Sequence, residues 1–490
     1  MSPLLLLVVV VKYFIVLLAV ARVTARDADN ASFFIGNRKS HWMLVAFGMV
    51  GTSLSGVTFI SVPGAVAHDG FTYFQIILGQ FFGYLVIAYV LLPLYYRFNL
   101  TSIYHYLDQR LGRRSYLTGA GFFILSRTLG ATARLYLVIR ILQDAILDGL
   151  GVPFWLTTLV ILVMILLYTY QGGVKTIVWT DTLQTVCMLG GLVICVVYVL
   201  QALQLDLAGS WQQMQARGMA TVFSMEFDSR KFFLKQLFAG MLIAIAMTGL
   251  DQEMMQKTIS VKTLKDAQKN ILVLSVIMLF VVLLFLFLGG LLSLYATTLG
   301  VMASGDQLFP AIMLGYLPGF VQLIFIVALI SALFPSADGA ITALTSSFCI
   351  DILGIQRRTA LTEAERTRTR HRVHLLFAGI FLLLILGFRV VDKASMIGVI
   401  LKLAGYTYGP LMGLFAFGIF SRRVVDDRYV PFVALAAPAL CYLIDMNQAR
   451  LFGTYQIGLE LLALNALFVA GGLWLLSKPA LNFPNGRPSQ

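Results

Sequence analysis

Thirteen long apolar segments follow one another along this chain with little between them. They lie at about 3–21, 42–64, 73–95, 118–146, 154–170, 174–201, 232–250, 270–297, 319–350, 373–390, 395–420, 430–446 and 455–477. Most approach the roughly 20 residues that a helix needs to cross the hydrocarbon of a bilayer. Hydrophobic residues make up 59% of the 490 and charged ones 12%, against about 45–50% and about 25% in soluble domains. That composition excludes a soluble enzyme, a disordered chain and a disulfide scaffold. The sequence predicts an all-α polytopic membrane protein with about thirteen spans.

The net charge of +13 reads as the Lys/Arg excess of cytoplasmic loops rather than as a nucleic-acid surface. With the N-terminus outside, the inner loops hold 24 of the Lys and Arg residues and the outer loops 6; the 351–372 loop alone holds six. The C-terminus is then cytoplasmic, and the expected location is the plasma (inner) membrane. Ala19-Val20-Ala21 resembles a cleavage site, but no Lys or Arg opens the first segment, so it is expected to be a span. The four cysteines, Cys187, Cys195, Cys349 and Cys441, lie in or beside apolar runs without a pairing pattern. The sequence contains no GxxxxGK[ST] phosphate loop and no HExxH. No nucleophile–base pair stands out, so an enzyme is not expected. Nothing indicates an oligomeric state.

Charges within spans are costly and need a reason. Arg127, Arg134 and Arg140 fall in the fourth segment, Asp181 in the sixth, Asp338 in the ninth and Lys402 in the eleventh; Lys12 and Arg389 lie near span ends. Either these charges pair and hold the bundle together, or they line a pathway for ions or charged solutes. Irregular backbone points to the second reading. The second segment carries Gly51-Thr52-Ser53-Leu54-Ser55-Gly56-Val57-Thr58 and then Pro63-Gly64. The seventh carries Gly240 and Met247-Thr248-Gly249, and the ninth Pro335-Ser336-Ala337-Asp338-Gly339. Freed carbonyls at membrane depth are tolerated where they line a cavity, and there they can coordinate Na⁺.

Gly172-Gly173-Val174-Lys175-Thr176-Ile177-Val178-Trp179-Thr180-Asp181-Thr182-Leu183-Gln184 closely resembles the GG-x-x-A-V-x-W-T-D-x-x-Q signature of the sodium:solute symporter family, with Lys175-Thr176 departing at its centre. Gly51 to Gly64 is similar to the first core helix of the sodium/proline members. Asp251-Gln252 with Gln256-Lys257 resembles the end of the family's sixth core helix. Residues 331–352, ending Phe348-Cys349-Ile350-Asp351-Ile352, resemble its sodium-site helix.

The resemblance implies a LeuT-type core of two inverted five-helix repeats. The expected organisation is an extra helix and first cytoplasmic loop (1–41), the first repeat (42–201), an extracellular loop (202–231), the second repeat (232–420), and two peripheral helices with a cytoplasmic tail (421–490). It implies sodium-coupled symport of a small polar solute by alternating access. Carried over residue by residue, one sodium ion would meet backbone oxygens of Gly51, Leu54 and Ala332 and the hydroxyl of Ser336. Pro335 stands where relatives carry a second hydroxyl. Another sodium would meet Asp181, with Asp338 at a hydroxyl position, unless Lys402 neutralises that carboxylate. Ser53, Thr58 and Phe59 are expected to face the solute. Arg127 is expected either to grip a solute carboxylate or to form an internal salt bridge. Proton coupling through Asp181 and Asp338, and a transporter-like membrane sensor acting with a separate partner, are the alternatives.

Overall fold

A computed structural model describes residues 3–25, 30–358, 360–391 and 396–479. The expected span 395–420 begins outside them, as do Arg26 in the first loop and most of the C-terminal tail. The helices that matter are α1 (Leu4–Thr24), α2 (Trp42–Asp69), α3 (Tyr73–Arg97), α4 (Arg113–Leu150), α5 (Phe154–Tyr170), α6 (Gly173–Leu203), α7 (Phe233–Gly249), α8 (Gln252–Ile259), α9 (Leu264–Leu299), α10 (Gly319–Ile352), α11 (Glu363–Val390), α12 (Gly398–Phe420), α13 (Val430–Met446) and α14 (Leu461–Leu476). Among the described residues nine of these are long and apolar enough to cross a bilayer singly. The bent pair α7–α8 makes a tenth, and α5, α13 and α14 are shorter apolar helices. The only strand pairing among the described residues is Val424–Val425 with Ser477–Lys478, antiparallel.

Three interruptions shape the bundle. In α2 the helical path fails at Ser55 (φ 43°, ψ 165°), a left-handed conformation that a serine adopts only at a cost of about 1–3 kcal/mol. Segments 154–170 and 174–201 are joined without a loop and turn at Gly173 (φ 51°, ψ −136°). Glycine is required there twice over: its φ is positive, and an added Cβ would stand 2.6 Å from Phe33. The third break separates α7 from α8 with a bend of 64°. One expectation is corrected. The Pro335–Gly339 stretch is not an interruption, since the helix runs unbroken from Gly319 to Ser347 with Pro335 inside it. Proline only removes one donor, and close packing on every side holds the rest of the ladder.

The middle of α2 is enclosed by α6, α9 and α10, and residues from Val45 to Val66 are almost all buried. Helices α3 and α7 approach through small residues: a Cβ at Gly79 would stand 2.0 Å from the Leu237 carbonyl, and one at Gly240 2.1 Å from the Ile76 carbonyl. Large apolar side chains such as Phe280, Leu383, Phe432 and Leu475 stand outward and exposed. That outside suits hydrocarbon, because every backbone group along such a helix is bonded within it.

Candidate functional site

A cavity of about 100 Å³ opens beside the Ser55 break, between α2, α3, α4, α7 and α12. Its polar lining includes Ser53, Thr58, Gln80, Thr248, Arg127 and Arg134. The two arginines are seven residues apart on α4, which puts them on nearly one face. Ser53 and Thr58, expected to face the solute, line this cavity. Phe59 does not line it: it is fully buried against Phe285, Phe309 and Phe325, with ring centroids 5.6, 5.2 and 6.0 Å away. A helix turns about 100° per residue, so Phe59 faces the α9–α10 side while its neighbour Thr58 faces the cavity.

Beneath the cavity lies a buried charge cluster built mainly from the start of α8. Asp251 caps that helix, its Oδ1 accepting from the Glu253 and Met254 amides at 2.9 and 3.3 Å, as an N-cap aspartate does. Arg127 Nη2 donates to Glu253 Oε2, and its Nη1 is 3.7 Å from Asp251 Oδ2. One turn along α8, the Lys257 ammonium donates to Asp181 Oδ2 and to Thr52 Oγ1, both at 2.7 Å, and stands 3.7 Å from Glu253 Oε1. Thr52 also donates to Asp181 Oδ2 at 3.2 Å. Asp338 accepts from the Tyr168 hydroxyl at 2.8 Å and from the Gly339 amide at 2.5 Å. A Cβ at Gly339 would stand 2.4 Å from Glu253 Oε1 and 3.0 Å from Lys257 Nζ. Four buried carboxylates therefore face two buried cations, with Arg134 on the cavity wall as a third. Arg134 has no hydrogen bond or ion pair among the described residues.

Two expectations change on this geometry. Lys402 is not in the cluster; its ammonium pairs with Asp445 at 2.8 Å and is 62% exposed. The cation that meets Asp181 is Lys257, only 3% exposed, although it falls in a segment counted as a cytoplasmic loop. Arg127 forms an internal salt bridge to the start of α8 while also lining the cavity. Glu253 and Lys257 were missed as site residues, though their i,i+4 spacing next to a helix-capping Asp251 is visible in the sequence.

The residues expected around a first sodium ion lie at one crossing of α2 and α10. A Cβ at Gly51 would meet Thr185 Oγ1 at 2.4 Å and Pro335 Cγ at 3.6 Å, and one at Gly56 would lie 3.9 Å from the Ala332 carbonyl. Leu54 is fully buried there, and so is Ser336, whose hydroxyl donates to the Leu333 carbonyl at 2.9 Å. That bond uses the proton of the hydroxyl and leaves oxygen lone pairs available to a cation. The expected donors are all oxygens, a set that suits a hard monovalent ion.

The α7–α8 break is itself held by side-chain hydrogen bonds. Tyr95 donates to the Gly249 carbonyl at 2.7 Å, Tyr104 to the Leu250 carbonyl at 3.0 Å and Tyr408 to Asp251 Oδ2 at 2.6 Å. Gln252 accepts from the Ile103 amide and donates to the Thr101 carbonyl, both at 3.0 Å.

The profile of the sodium:solute symporter family matches residues 33–427. The human sodium/iodide cotransporter is 26% identical over 419 residues, covering 82% of this chain and 62% of that one. The chain thus spans under two thirds of that relative's length. The sodium/sialic acid symporter SiaT of Proteus mirabilis is 24% identical over 429 residues, covering 81% of this chain and 80% of that one. Among solved structures, a substrate-bound, outward-open Na⁺-coupled sialic acid symporter superposes with a TM-score of 0.81 at 18% identity, covering 97% of this chain and 99% of that one. The bundle, with its broken helices, thus has the fold of that transporter, and the chain belongs to the sodium:solute symporter family.

Proposed function

We propose that this protein is a secondary active transporter that couples sodium entry to uptake of a small carboxylate-bearing solute by alternating access. The observation that carries the sodium half is the excess of buried carboxylate beside the broken helix. Asp181, Asp251, Glu253 and Asp338 outnumber Arg127, Lys257 and Arg134. A net negative charge out of water is costly until a cation shares the space. The all-oxygen crossing formed by Gly51, Leu54, Ala332 and Ser336 is the place for one sodium ion.

The solute half rests on Arg134. It lines the cavity with Ser53 and Thr58 and has no ion-pair partner among the described residues. A planar guanidinium so placed takes a carboxylate through two parallel hydrogen bonds. With Arg127 already paired to Glu253, the carboxylate-binding role in this reading falls to Arg134, seven residues further along α4.

The organisation belongs to the same proposal. Thirteen spans follow if the α7–α8 pair and the three shorter apolar helices each cross once, with the N-terminus outside and the 351–372 loop in the cytoplasm. The repeats 42–201 and 232–420 then each open on a broken helix, α2 and α7–α8, and 1–41, 202–231 and 421–490 lie outside the two repeats. The inner or plasma membrane is the corresponding location.

The test is uptake of a panel of radiolabelled carboxylates and neutral sugars into proteoliposomes, with and without an inward sodium gradient. Sodium-driven uptake of a carboxylate, weakened in affinity by Arg134→Gln and in sodium activation by Ser336→Ala, is the expected result. Equal competition by neutral sugars overturns the solute assignment. Uptake driven by pH and indifferent to sodium overturns the coupling ion.

A further inference from the structure

The Lys257 ammonium sits among oxygens as a bound cation would. Asp181 Oδ2 and Thr52 Oγ1 are both 2.7 Å away and Glu253 Oε1 is 3.7 Å away. Four structural elements meet at that nitrogen: α2 through Thr52, α6 through Asp181, and α8 through Lys257 itself and Glu253. The fourth is α10, whose Gly339 backbone comes so close that a side chain there would lie 3.0 Å from the nitrogen. Asp181 and Glu253 are shielded from solvent. Asp181 Oδ1 has no hydrogen-bond partner among the described residues, so the carboxylate holds coordinating capacity beyond what the ammonium uses.

We propose that Lys257 is a tethered cation filling a monovalent-cation site formed by Asp181, Thr52 and Glu253, and that it keeps a free sodium ion out of that site. The proposal rests on the symport reading above for its role but not for its chemistry. An ammonium and a sodium ion carry the same charge and both satisfy oxygen acceptors. The ammonium, however, is attached to α8, so its local concentration cannot be diluted and its departure requires α8 to move. A free ion at Asp181 would add a charge to each transport cycle; the tethered one adds none. Lys257 therefore sets how many sodium ions travel with the solute, which makes it a stoichiometry-determining residue. Asp338, bonded to the Tyr168 hydroxyl and the Gly339 amide, shapes the field around the site without holding the ammonium.

Sodium itself is the probe. The full chain is purified in nanodiscs, and ²²Na⁺ bound at equilibrium is counted against a choline background. The parent is expected to bind one sodium ion per chain. Lys257→Met, which keeps much of the bulk and loses the charge, is expected to bind roughly twice as much. Lys257→Arg is expected to match the parent, and Lys257→Met with Asp181→Asn to return to the parent level. That double variant leaves neither partner as a lone buried charge and so guards against a folding failure of the single one. If Lys257→Met itself fails to fold in choline, sodium is expected to restore its melting temperature more than it raises that of the double variant, and absence of that difference overturns the proposal. A parent and a folded Lys257→Met with equal sodium content also overturn it, while leaving the symport reading intact. A parent that binds none beside a Lys257→Met that binds one, dependent on Asp181, supports the tethered cation and overturns sodium coupling at the α2–α10 crossing. No sodium on either overturns both.

Discussion

The hydroxyl of Tyr408, on α12, donates to Oδ2 of Asp251 at 2.6 Å, at the point where α7 gives way to α8. The same carboxylate caps α8 and lies 3.7 Å from Arg127, so one tyrosine steadies both the break and the floor of the cavity. A hydrogen bond to a buried carboxylate contributes about 1.5–3 kcal/mol. Tyr408→Phe removes it without changing shape otherwise. The expected outcome is a shift toward a conformation open to the cytoplasm. In a cysteine-free background, a cysteine in place of Thr101 is expected to be alkylated from the inner side about 10-fold faster or more. An unchanged rate assigns Tyr408 to packing alone.

Gly339 allows the clustering of Glu253 and Lys257 by having no side chain. Its Cβ would stand 2.4 Å from Glu253 Oε1 and 2.8 Å from Cδ. Gly339→Ala is expected to push Glu253 off Arg127 and to lower stability by about 1–3 kcal/mol, as overpacking does. Gly130, in the interior of α4, meets nothing within 4 Å. Gly130→Ala is expected to be neutral or to stabilise by about 0.5–1 kcal/mol, because alanine is the better helix former. Melting temperatures of the two variants in the same detergent decide the contrast.

The apolar helices and two of the breaks were legible for a physical reason. Apolar runs must match bilayer thickness, and the Gly51–Thr58 and Met247–Gly249 stretches carry residues that weaken a helix locally. The break at Ser55 lies in the first of those stretches and the bend follows the second. What was not legible is tertiary. Lys257 lies in a hydrophilic stretch that reads as loop, and only the packing of α8 beneath the cavity turns it inward onto Asp181. Phe59 and Thr58 are adjacent in sequence, and the facing of neighbouring residues is set by which helices surround α2. Pro335 read as a break because proline lacks a donor, yet α10 stays helical through it.

Arg357 Nη2 donates to His105 Nε2 at 2.6 Å and to Asp108 at 2.8 Å, and the His105 ring stacks on Tyr116. Partial burial, with the Arg357 charge second, pushes the His105 pKa below its ordinary 6.5. The neutral ring is the one that accepts from Arg357. The stabilisation is therefore full above pH 6.5 and is lost as pH falls through the lowered value. Hydrogen exchange in residues 353–358 is expected to quicken between about pH 7 and 5, beyond its intrinsic pH dependence. His105→Gln is expected to flatten that excess, and an equal acid response in parent and variant sinks the assignment.

Arg127 and Glu253 form the pair on which the cavity floor depends, with side chains 4% and 1% exposed. Removing one partner of such a pair leaves a buried charge uncompensated, at a cost of about 3–5 kcal/mol. Arg127→Gln is therefore expected to melt early or to express poorly. Glu253→Gln is expected to be milder, because Asp251 still faces Arg127 at 3.7 Å. The double variant Arg127→Gln with Glu253→Gln loses both charges and keeps two amides that can bond to each other. It is expected to recover much of the stability lost by Arg127→Gln alone, with a coupling of about 1–3 kcal/mol in the cycle. Solute affinity separates this structural role from a binding one. Since Arg134 carries no competing pair, the double variant is expected to retain discrimination between carboxylates and neutral solutes, while Arg134→Gln loses it with stability unchanged. Loss of carboxylate preference in a stable double variant would return the binding role to Arg127.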